Sequence, residues 1–564
     1  MTKSTQKPNS GSLSTLTPDV VVVGAGFAGM AALAQLRDRG FSVTGVERGP
    51  EVGGTWYWNR YPGLRCDIES QQYSYSWDPA LEQEWTWRER YASQPEILSY
   101  ARWVADRLEL RALIQFGVEV QAMHFSEESE TWQVLLSDGS TLTSRWVILA
   151  TGALSTPKPL DIPGAESFLG EIYRTTDWPE YGVDFSAKRV AVVGTGSSGI
   201  QVATELAQQA VHLTVMQRTA SFSLPAGNRP LTADEIQARR ANAAALREGE
   251  RRSMDGLNLP MTGLNAADVA SELRREKFEE AYAEGIPFTY FGIFDDILVS
   301  DEANAYVHEF LSQKIRERVT DPEVAEKLIP RGYPFGTKRA CIDSGYYEIF
   351  NEPHVDLVDL TETPISRITP TGIEAGGRVI EVDAIVLATG YDAFTGTATR
   401  IDIQGTQGSL AEAWANGAHA YLGLMVPSFP NLFLVTGPQS PAVLSNMMVS
   451  IEQHVEWIVG ALEHARDESL VRFEVTPAAE SEWLEHAAEL GQIMVYRNAN
   501  SWYVGGNIEG KPRTVLPYLG GVGPFRAKCE QVARDGYAGF ASVAAATPSQ
   551  SETRVQETAT VPVR

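Results

Sequence analysis

Residues 19–40 read DVVVVGAGFAGMAALAQLRDRG: a β-branched run, a glycine-rich turn and then a helical stretch. The unbroken apolar run predicts a strand that is buried on both faces, as in a parallel sheet. Gly24, Gly26 and Gly29 have the spacing at which a strand turns into a helix around a pyrophosphate. Because the helix N-terminus offers free N–H groups and a partial positive charge, the stretch predicts a Rossmann-like dinucleotide-binding unit.

The next predicted strand supports this interpretation, since it ends in an acid. Glu47 lies 23 residues after Gly24. A carboxylate at this position can accept hydrogen bonds from both ribose hydroxyls of an adenosine. Strand, turn, helix and acid therefore occur in the order that such a unit requires.

A second stretch, residues 188–210, repeats the device as KRVAVVGTGSSGIQVATELAQQA, with glycines at Gly194, Gly196 and Gly199. After its next strand comes Arg218, and a guanidinium can pair with the 2′-phosphate of NADPH, which an acid would repel. We therefore predict that this unit binds NADPH.

Two dinucleotide sites in one chain indicate that electrons pass from NADPH to a flavin. The flavin is predicted to be FAD, because FMN lacks the adenosine ribose that Glu47 would hold. Disulfide reductases share this layout but need two redox cysteines close in sequence. Since Cys66, Cys341 and Cys529 lie far apart, this class of enzyme is excluded.

Two similar segments, RWVILATGALSTP (145–157) and DAIVLATGYDAFTG (383–396), flank the second unit. They predict that the chain leaves a first α/β domain near Thr151 and returns to it near Asp383. The predicted fold class is α/β, with two Rossmann-like domains, a discontinuous FAD domain and a helical insertion in the NADP domain. The predicted divisions are disordered tails at 1–17 and 544–564, an FAD domain at 18–153 and 384–543, an NADP domain at 154–220 and 326–383, and a helical insertion at 221–325.

Composition narrows the class of protein. The 564 residues include 47 basic and 72 acidic ones, a net charge of −25. This charge repels nucleic acids and anionic membrane surfaces, so neither is predicted as a partner. The cysteines and histidines lack metal-ligand spacing, so no metal site is predicted. Without a recognisable signal peptide or membrane span, we expect a soluble, cytoplasmic protein.

Six motifs make the sequence specific to one family. They are GGTWYWNRYPGLRCD (53–67), FLGEIYRTTDWP (168–179), YPFGTKR (333–339), DAIVLATGYDAFTG (383–396), GPQSPAVLSNMMVSIEQHVEW (437–457) and NSWYVGGNIEGKPR (500–513). With these motifs the chain resembles the Baeyer–Villiger flavin monooxygenases, and the resemblance extends from Asp19 to about Phe540.

The resemblance implies an activity. In this family NADPH reduces FAD, and the flavin binds O₂ as a flavin peroxide that attacks a ketone through a Criegee intermediate, giving an ester or a lactone. Arg339 corresponds to the catalytic arginine, whose permanent charge would keep the peroxide deprotonated. Asp67 corresponds to the carboxylate that pairs with this arginine. We expect cyclic or aryl-alkyl ketones as substrates, and a monomer or weak homo-oligomer.

The predicted site residues fall into three further groups. For FAD they are Gly24, Gly26, Phe27, Ala28, Gly29, Glu47, Gly54, Thr55, Trp56, Asp67, Tyr73 and Val120. For NADP they are Gly194, Thr195, Gly196, Ser197, Ser198, Gly199, Ile200, Gln201, Arg218, Thr219, Lys338, Arg339 and Trp502, the last through its indole N–H. For the apolar substrate pocket they are Pro441, Leu444 and Met447.

One departure and two alternatives stay open. Arg174 stands where the family's linker motif has a histidine, and a guanidinium only donates hydrogen bonds. We expect Arg174 to keep a donor contact and the enzyme to remain active. The alternatives are a flavin monooxygenase that oxygenates nitrogen or sulfur, and a non-catalytic flavoprotein on the same scaffold.

Overall fold

The computed structural model describes residues 17–159 and 161–545. The strands in these ranges are β1 (Val20–Val23), β2 (Val43–Glu47), β3 (Ile114–Phe116), β4 (Val120–Ser126), β5 (Thr131–Leu136), β6 (Thr141–Ser144), β7 (Trp146–Leu149), β8 (Glu171–Arg174), β9 (Arg189–Val193), β10 (His212–Gln217), β11 (Ser223–Pro225), β12 (Cys341–Asp343), β13 (Val355–Asp359), β14 (Ile365–Thr369), β15 (Gly372–Ala375), β16 (Arg378–Glu381), β17 (Ala384–Leu387), β18 (Asp402–Gln404), β19 (Leu432–Leu434), β20 (Leu470–Val475) and β21 (Phe540–Ala544).

The α-helices of the same ranges connect and cover these strands. They are α1 (Phe27–Asp38), α2 (Thr55–Trp58), α3 (Pro79–Glu84), α4 (Gln94–Arg107), α5 (Ser197–Leu206), α6 (Ala233–Ala241), α7 (Ala243–Arg252), α8 (Ser271–Glu284), α9 (Asp301–Arg318), α10 (Pro322–Leu328), α11 (Leu410–Ala413), α12 (Met447–Asp467), α13 (Pro477–Ile493) and α14 (Val522–Arg534).

The first sheet has the order β19-β7-β1-β2-β3, and all its pairings are parallel. Its central strand β1 is buried along its whole length. Val20 and Val22 pack into one core, while Val21 and Val23 pack into another on the opposite face. A strand that is buried on both faces explains the unbroken valine run.

The second sheet has the order β13-β10-β9-β17-β8 and is also parallel. It corrects the predicted return of the chain at 384. Strand β17 pairs with β9 and β8 in this sheet, so the chain goes back to the first sheet only after residue 388. The two similar ATG segments are equivalent strands: β7 lies beside β1, and β17 lies beside β9.

The helical insertion is present, with α6 to α9 inside the predicted range 221–325. Its predicted end falls inside α10, which runs to Leu328. Ala325 and Leu328 pack with the core of the second sheet, so α10 belongs to that domain. Strand β11 also ties the start of the insertion to β12, in the loop-rich region that follows α10.

The chain ends differ slightly from the prediction. Residues 1–16 and 546–564 of the predicted tails lie outside the described residues. The predicted start of the second tail at 544 is too early, because β21 includes Ala544, which pairs with Leu470 of β20. The N–H of Ala545 also donates to the carbonyl of Ser469.

Candidate active site

The glycine-rich turns 24–29 and 194–199, called here the first and second cradle, both have the backbone that a dinucleotide needs. Gly24 and Gly194 have φ of +104° and +108°. A Cβ at Gly24 would lie 2.6 Å from the carbonyl oxygen of Ala150, and one at Gly194 would lie 2.4 Å from that of Ala388. At each of the two positions, both the positive φ and the short contact therefore require glycine.

The middle glycines leave room above the helix ends. Nothing lies within 4 Å of a Cβ built on Gly196, and the nearest atom to one on Gly26 is the Cα of Gly54, at 3.5 Å. Helices α1 and α5 start directly after these glycines, so no N-cap side chain occupies the N–H groups of the first turn. Free N–H groups and open space fit a pyrophosphate in each cradle.

Glu47 ends β2 beneath the first cradle and is 6% exposed. Its carboxylate accepts hydrogen bonds from the backbone N–H groups of Ala25 and Gly49, both at 2.8 Å. Burial raises the pKa of Glu47, and the two N–H donors oppose this rise. Each carboxylate oxygen keeps a further lone pair, so Glu47 also fits a ribose hydroxyl.

Arg339 and Asp67 form a two-pronged ion pair. The Nε and Nη2 atoms of Arg339 donate to the two carboxylate oxygens of Asp67, at 2.7 and 2.8 Å. Nη1 donates to the carbonyl of Val443 at 2.5 Å, and the guanidinium lies 4.5 Å from the ring centre of Phe288. Burial acts to lower the pKa of Arg339, but Asp67 outweighs it and the pKa is raised. The cation is therefore permanent and fixed in orientation.

The loop before Arg339 is anchored by the C-terminal part of the chain. The hydroxyl of Tyr496 donates to the carbonyl of Gly336 at 3.0 Å, and that of Ser501 donates to the carbonyl of Thr337 at 2.7 Å. Both donor side chains are buried. Since these bonds hold the residues just before Arg339, they help to fix where its side chain begins.

Two cations lie beside the second cradle. Arg218 is exposed at the end of β10, and the Lys338 ammonium lies 4.3 Å from the ring centre of Tyr333. Neither cation makes an ion pair with a carboxylate of residues 17–159 or 161–545. Burial lowers the pKa of Lys338 to about 8, and the charge of Arg218 adds to this. Paired cations without an acid fit a phosphate group.

The residues 61–65 of the first motif join the two nucleotide units. The hydroxyl of Tyr61 donates to the amide oxygen of Gln201 at 3.0 Å, and the amide nitrogen of Gln201 donates to the carbonyl of Arg65 at 3.1 Å. A Cβ on Gly63 would lie 2.8 Å from the Gln201 carbonyl oxygen. This glycine lets α5 pack closely against the motif.

Comparison with known proteins agrees with this geometry. A family model described as pyridine nucleotide-disulphide oxidoreductase matches residues 21–243. Three curated relatives are each 38% identical to the chain. They are an acetone monooxygenase (methyl acetate-forming) of Gordonia sp. strain TY-5, a Baeyer–Villiger monooxygenase of Pseudooceanicola batsensis and a phenazine N-monooxygenase of Lysobacter antibioticus, which match 94%, 92% and 93% of this chain and 100%, 95% and 96% of their own lengths.

The chain belongs to the Baeyer–Villiger monooxygenase family. Solved structures agree: an oxidised steroid monooxygenase bound to NADP is 43% identical with a TM-score of 0.90, covering 94% of this chain and 100% of that one. The OTEMO complex with FAD and NADP is 37% identical with a TM-score of 0.90, covering 93% and 99%.

The predicted FAD residues of this family member lie around the first cradle. The indole N–H of Trp56 donates to the hydroxyl of Tyr73 at 3.1 Å, and the ring of Phe27 meets Tyr73 edge-on at 6.0 Å. Thr55 is exposed at the start of α2, next to Gly54. Ala28 and Gly29 lie in the first turn of α1. Val120 lies near Glu47, because the N–H of Val118 donates to the main-chain carbonyl of Glu47.

Some of the predicted NADP residues lie at the turn of the second cradle, and others lie in the core. The hydroxyl of Thr195 donates to the carbonyl of Thr219 at 2.9 Å, which joins two of them. Ser197 and Ser198 lie in the first turn of α5, where helix N–H groups are free. Ile200 is instead 1% exposed, and its N–H donates to the Gly196 carbonyl. The Ile200 side chain therefore packs in the core, and its predicted contact with the cofactor stays a prediction.

Trp502 lies in the segment that also anchors the loop before Arg339. Its ring is partly exposed and packs against Tyr503 at 4.4 Å and Phe394 at 6.2 Å. Its indole N–H makes no hydrogen bond within the described part of the chain. A hydrogen bond from this N–H to NADP stays a prediction of the family resemblance.

The predicted substrate segment lies directly at Arg339. Val443, whose carbonyl accepts from Arg339, lies between the predicted pocket residues Pro441 and Leu444. Leu444 and Met447 are partly buried, whereas Pro441 is buried. The segment thus places Leu444 directly after the residue that accepts from Arg339, and Met447 follows in the first turn of α12.

The linker motif keeps a donor at its divergent position. Arg174 ends β8, and its Nη1 donates to the carbonyl of Lys158 at 3.2 Å. The expected donor contact of Arg174 is therefore present, and it joins the crossing segment that contains Lys158 to β8 of the second sheet.

Sequence reasoning missed Phe288, Val443, Tyr496 and Ser501. Phe288 lies in the helical insertion, where no motif singles it out, and the other three lie in or near quoted motifs without a chemical signal of their own. The three cysteines are unpaired and buried. Among the helices of residues 17–159 and 161–545, none has the length and apolarity to cross a bilayer.

Proposed function

We propose that this protein uses NADPH and O₂ to convert ketones into esters or lactones, with FAD in the first cradle and NADPH in the second. The names of relatives support the reaction, since one is a methyl acetate-forming acetone monooxygenase. The names of solved neighbours support the cofactors. The required glycines, Glu47 and the unpaired cations of the second cradle fit both nucleotides.

The observation that carries the proposal is the fixed guanidinium of Arg339. It joins Asp67, from the motif beside the FAD cradle, to Val443, from the apolar segment. A cation that is always charged and held by three hydrogen bonds can stabilise negative charge on an oxygen without reorganising. Asp67 offsets the free-energy cost of burying the cation, since an unpaired buried charge is strongly destabilising.

Bound FAD and NADPH supply the redox chemistry and the activation of O₂, which the amino acids themselves do not provide. The chain's own residues have narrower tasks. Arg339 stabilises the negative charge that develops on the carbonyl oxygen of a ketone. Leu444 and Met447 offer an apolar, adaptable surface for the hydrocarbon part of the substrate, and this surface excludes water.

The test is the product formed with and without the guanidinium. Purified protein with FAD is supplied with NADPH, O₂ and a small panel of cyclic and aryl-alkyl ketones, and esters are measured by mass spectrometry. Wild type should form ester, whereas Arg339→Ala should lose ester formation while NADPH still reduces the flavin. Lys277→Met, at an exposed ion pair with Glu280, is the matched cation control. Ester formation by Arg339→Ala would refute the assigned role.

A second candidate is oxygenation of a ring nitrogen, because a phenazine N-monooxygenase is as similar in sequence as the ketone monooxygenases. An aromatic N-heterocycle is therefore included in the same panel. N-oxide formation without any ester from the ketones would favour this candidate. Ester formation alone would favour the first.

We also propose the division into an FAD domain and an NADP domain with a helical insertion, supported by the two separate parallel sheets. A net charge of −25 supports a monomer or weak homo-oligomer, since like charge opposes self-association. Three unpaired thiols fit the reducing cytoplasm.

A further inference from the structure

A third cation, Lys158, lies at the mouth of the second cradle. Its N–H donates to the carbonyl of Gly390 at 3.1 Å, three residues after the end of β17. Arg218 comes directly after β10, and β10 and β17 are the two neighbours of β9. The carboxyl ends of parallel strands lie at the same edge of a sheet. The main-chain atoms of Lys158 and Arg218 therefore lie on either side of the turn 194–199.

The ammonium of Lys158 is held without an acid. Nζ donates to the carbonyl of Asn507 at 2.7 Å, and no ion pair links it to a carboxylate of the described ranges. The side chain is partly buried. Burial lowers the pKa of Lys158, and the charge of Arg218 lowers it further, while Asp392 opposes both. Lys158 and Arg218 thus place two positive charges at the same edge of the second sheet.

Hydrogen bonds to both the N–H and the carbonyl of Lys158 fix its main chain. Its N–H is bonded to Gly390, and its carbonyl accepts from Nη1 of Arg174 at 3.2 Å. A surface lysine has no need of such support. Two neighbouring cations on fixed main chain, with open space above Gly196, form an arrangement that an anion would stabilise.

We propose that Lys158 is a third phosphate-binding cation of the second cradle and contacts a phosphate of the dinucleotide together with Arg218. Arg174 acts as its positioning residue. The inference rests on the proposed NADPH dependence. NADPH offers two phosphate sources, the 2′-phosphate beside the β10 end and the pyrophosphate over the turn, and both have the same chemistry.

The test measures equilibrium binding, so it does not depend on turnover. FAD-loaded wild type, Lys158→Met, Lys158→Arg and the control Lys277→Met are titrated with NADP⁺, NAD⁺ and adenosine 2′,5′-bisphosphate by calorimetry. Loss of one charge-assisted contact should weaken NADP⁺ binding by about tenfold in Lys158→Met. Lys158→Arg should recover most of the loss, and Lys277→Met should bind as wild type does. Flavin absorbance confirms that each variant is folded.

The ligand pattern identifies the phosphate. If Lys158 contacts the 2′-phosphate, NADP⁺ and the bisphosphate weaken while NAD⁺ does not. If it contacts the pyrophosphate, NADP⁺ and NAD⁺ weaken equally, and the bisphosphate weakens only where its 5′-phosphate, the adenosine-side phosphate of the pyrophosphate, is the one contacted. Unchanged binding of all three ligands to folded Lys158→Met would overturn the inference. Absence of ester from wild type would instead count against the proposed function and leave the binding result intact.

Discussion

The two cradles share one backbone and differ at the strand that follows. In both sheets the strand before the turn lies between an ATG strand and the strand with the ribose-binding end. Glu47 and Gln217 each lie 23 residues after the first glycine of their cradle. Glu47 accepts two backbone N–H groups, whereas the Gln217 amide donates to the carbonyl of Lys327 at 2.7 Å. One acid-to-amide change thus removes a negative charge from an otherwise equal site.

At the next position both units have an arginine, but the two arginines have different surroundings. Arg48 stands in the first unit where Arg218 stands in the second. Both arginines are exposed, but Arg48 lies 4.6 Å from the ring centre of Trp58, whereas Arg218 lies beside Lys338. The contrast between Glu47 and Arg218 in the sequence therefore involves two positions. We therefore attribute the expected preference for NADP⁺ to the absence of the acid and to the surroundings of Arg218.

Gly24→Ala should have the largest effect on this comparison. The new Cβ would lie 2.6 Å from a backbone carbonyl at a positive φ, so the first cradle must distort. We expect purified protein without bound FAD, measured by flavin absorbance. Gly40→Ala has a φ of +82° but open space around it, and should keep its flavin. Equal flavin loss in both would show that the carbonyl contact is not decisive.

Arg218→Ala should weaken binding of NADP⁺ by about 10- to 100-fold and that of NAD⁺ far less, because the 2′-phosphate distinguishes the two. Calorimetric titration of the FAD-loaded protein measures both. Arg48→Ala, the equivalent change in the first unit, should leave this preference unchanged. A similar loss for NADP⁺ and NAD⁺ would contradict the assignment of Arg218.

Glu47→Gln makes the first cradle resemble the second. An amide can accept only one of the two N–H groups, and its own NH₂ then faces the other donor. We expect FAD affinity to fall by about tenfold, measured by titrating apoprotein with FAD. The reverse change, Gln217→Glu, should leave FAD binding unchanged and weaken NADP⁺. The opposite pattern would show that the two positions are not equivalent.

The pH dependence of NADP⁺ binding should show the smallest effect. Phosphate favours the charged form of Lys338, whose pKa is lowered to about 8 in the free protein. Below this pKa the ammonium is already present, and above it binding must take up a proton. Affinity should therefore decrease by a few-fold between about pH 7 and 9. Lys338→Arg should flatten the profile, and an unchanged slope would assign the titration to another group.

Most of the site could be predicted from local motifs. The glycines, Glu47 and Arg218 each carry their chemistry in residue type and spacing, and the structure brings them to the two cradles. The role of Lys338 is implied by the family resemblance instead. The pairing of Arg339 with Asp67 was implied by family resemblance and is present in the structure. The two residues are 272 positions apart, so spacing by itself could not have shown the contact.

The rest depended on contacts between distant parts of the chain. Phe288 reaches Arg339 from the helical insertion, and Tyr496 reaches Gly336 across 160 positions. The ATG copy at 384–387 was assigned to the wrong domain, because an apolar strand records that it is buried without recording in which sheet. The turn motif likewise does not record that the Ile200 side chain is buried.

The sequence by itself determined the two nucleotide units, their strands and helices, and the order of acid and cation after each glycine turn. These features follow from residue periodicity and from backbone sterics that act over a few residues. Only the tertiary structure decided which strand joins which sheet, what holds the guanidinium of Arg339, and that Lys158 is bonded to Gly390 and Asn507. Such contacts form when distant segments pack together, and their energy depends on the geometry of both partners.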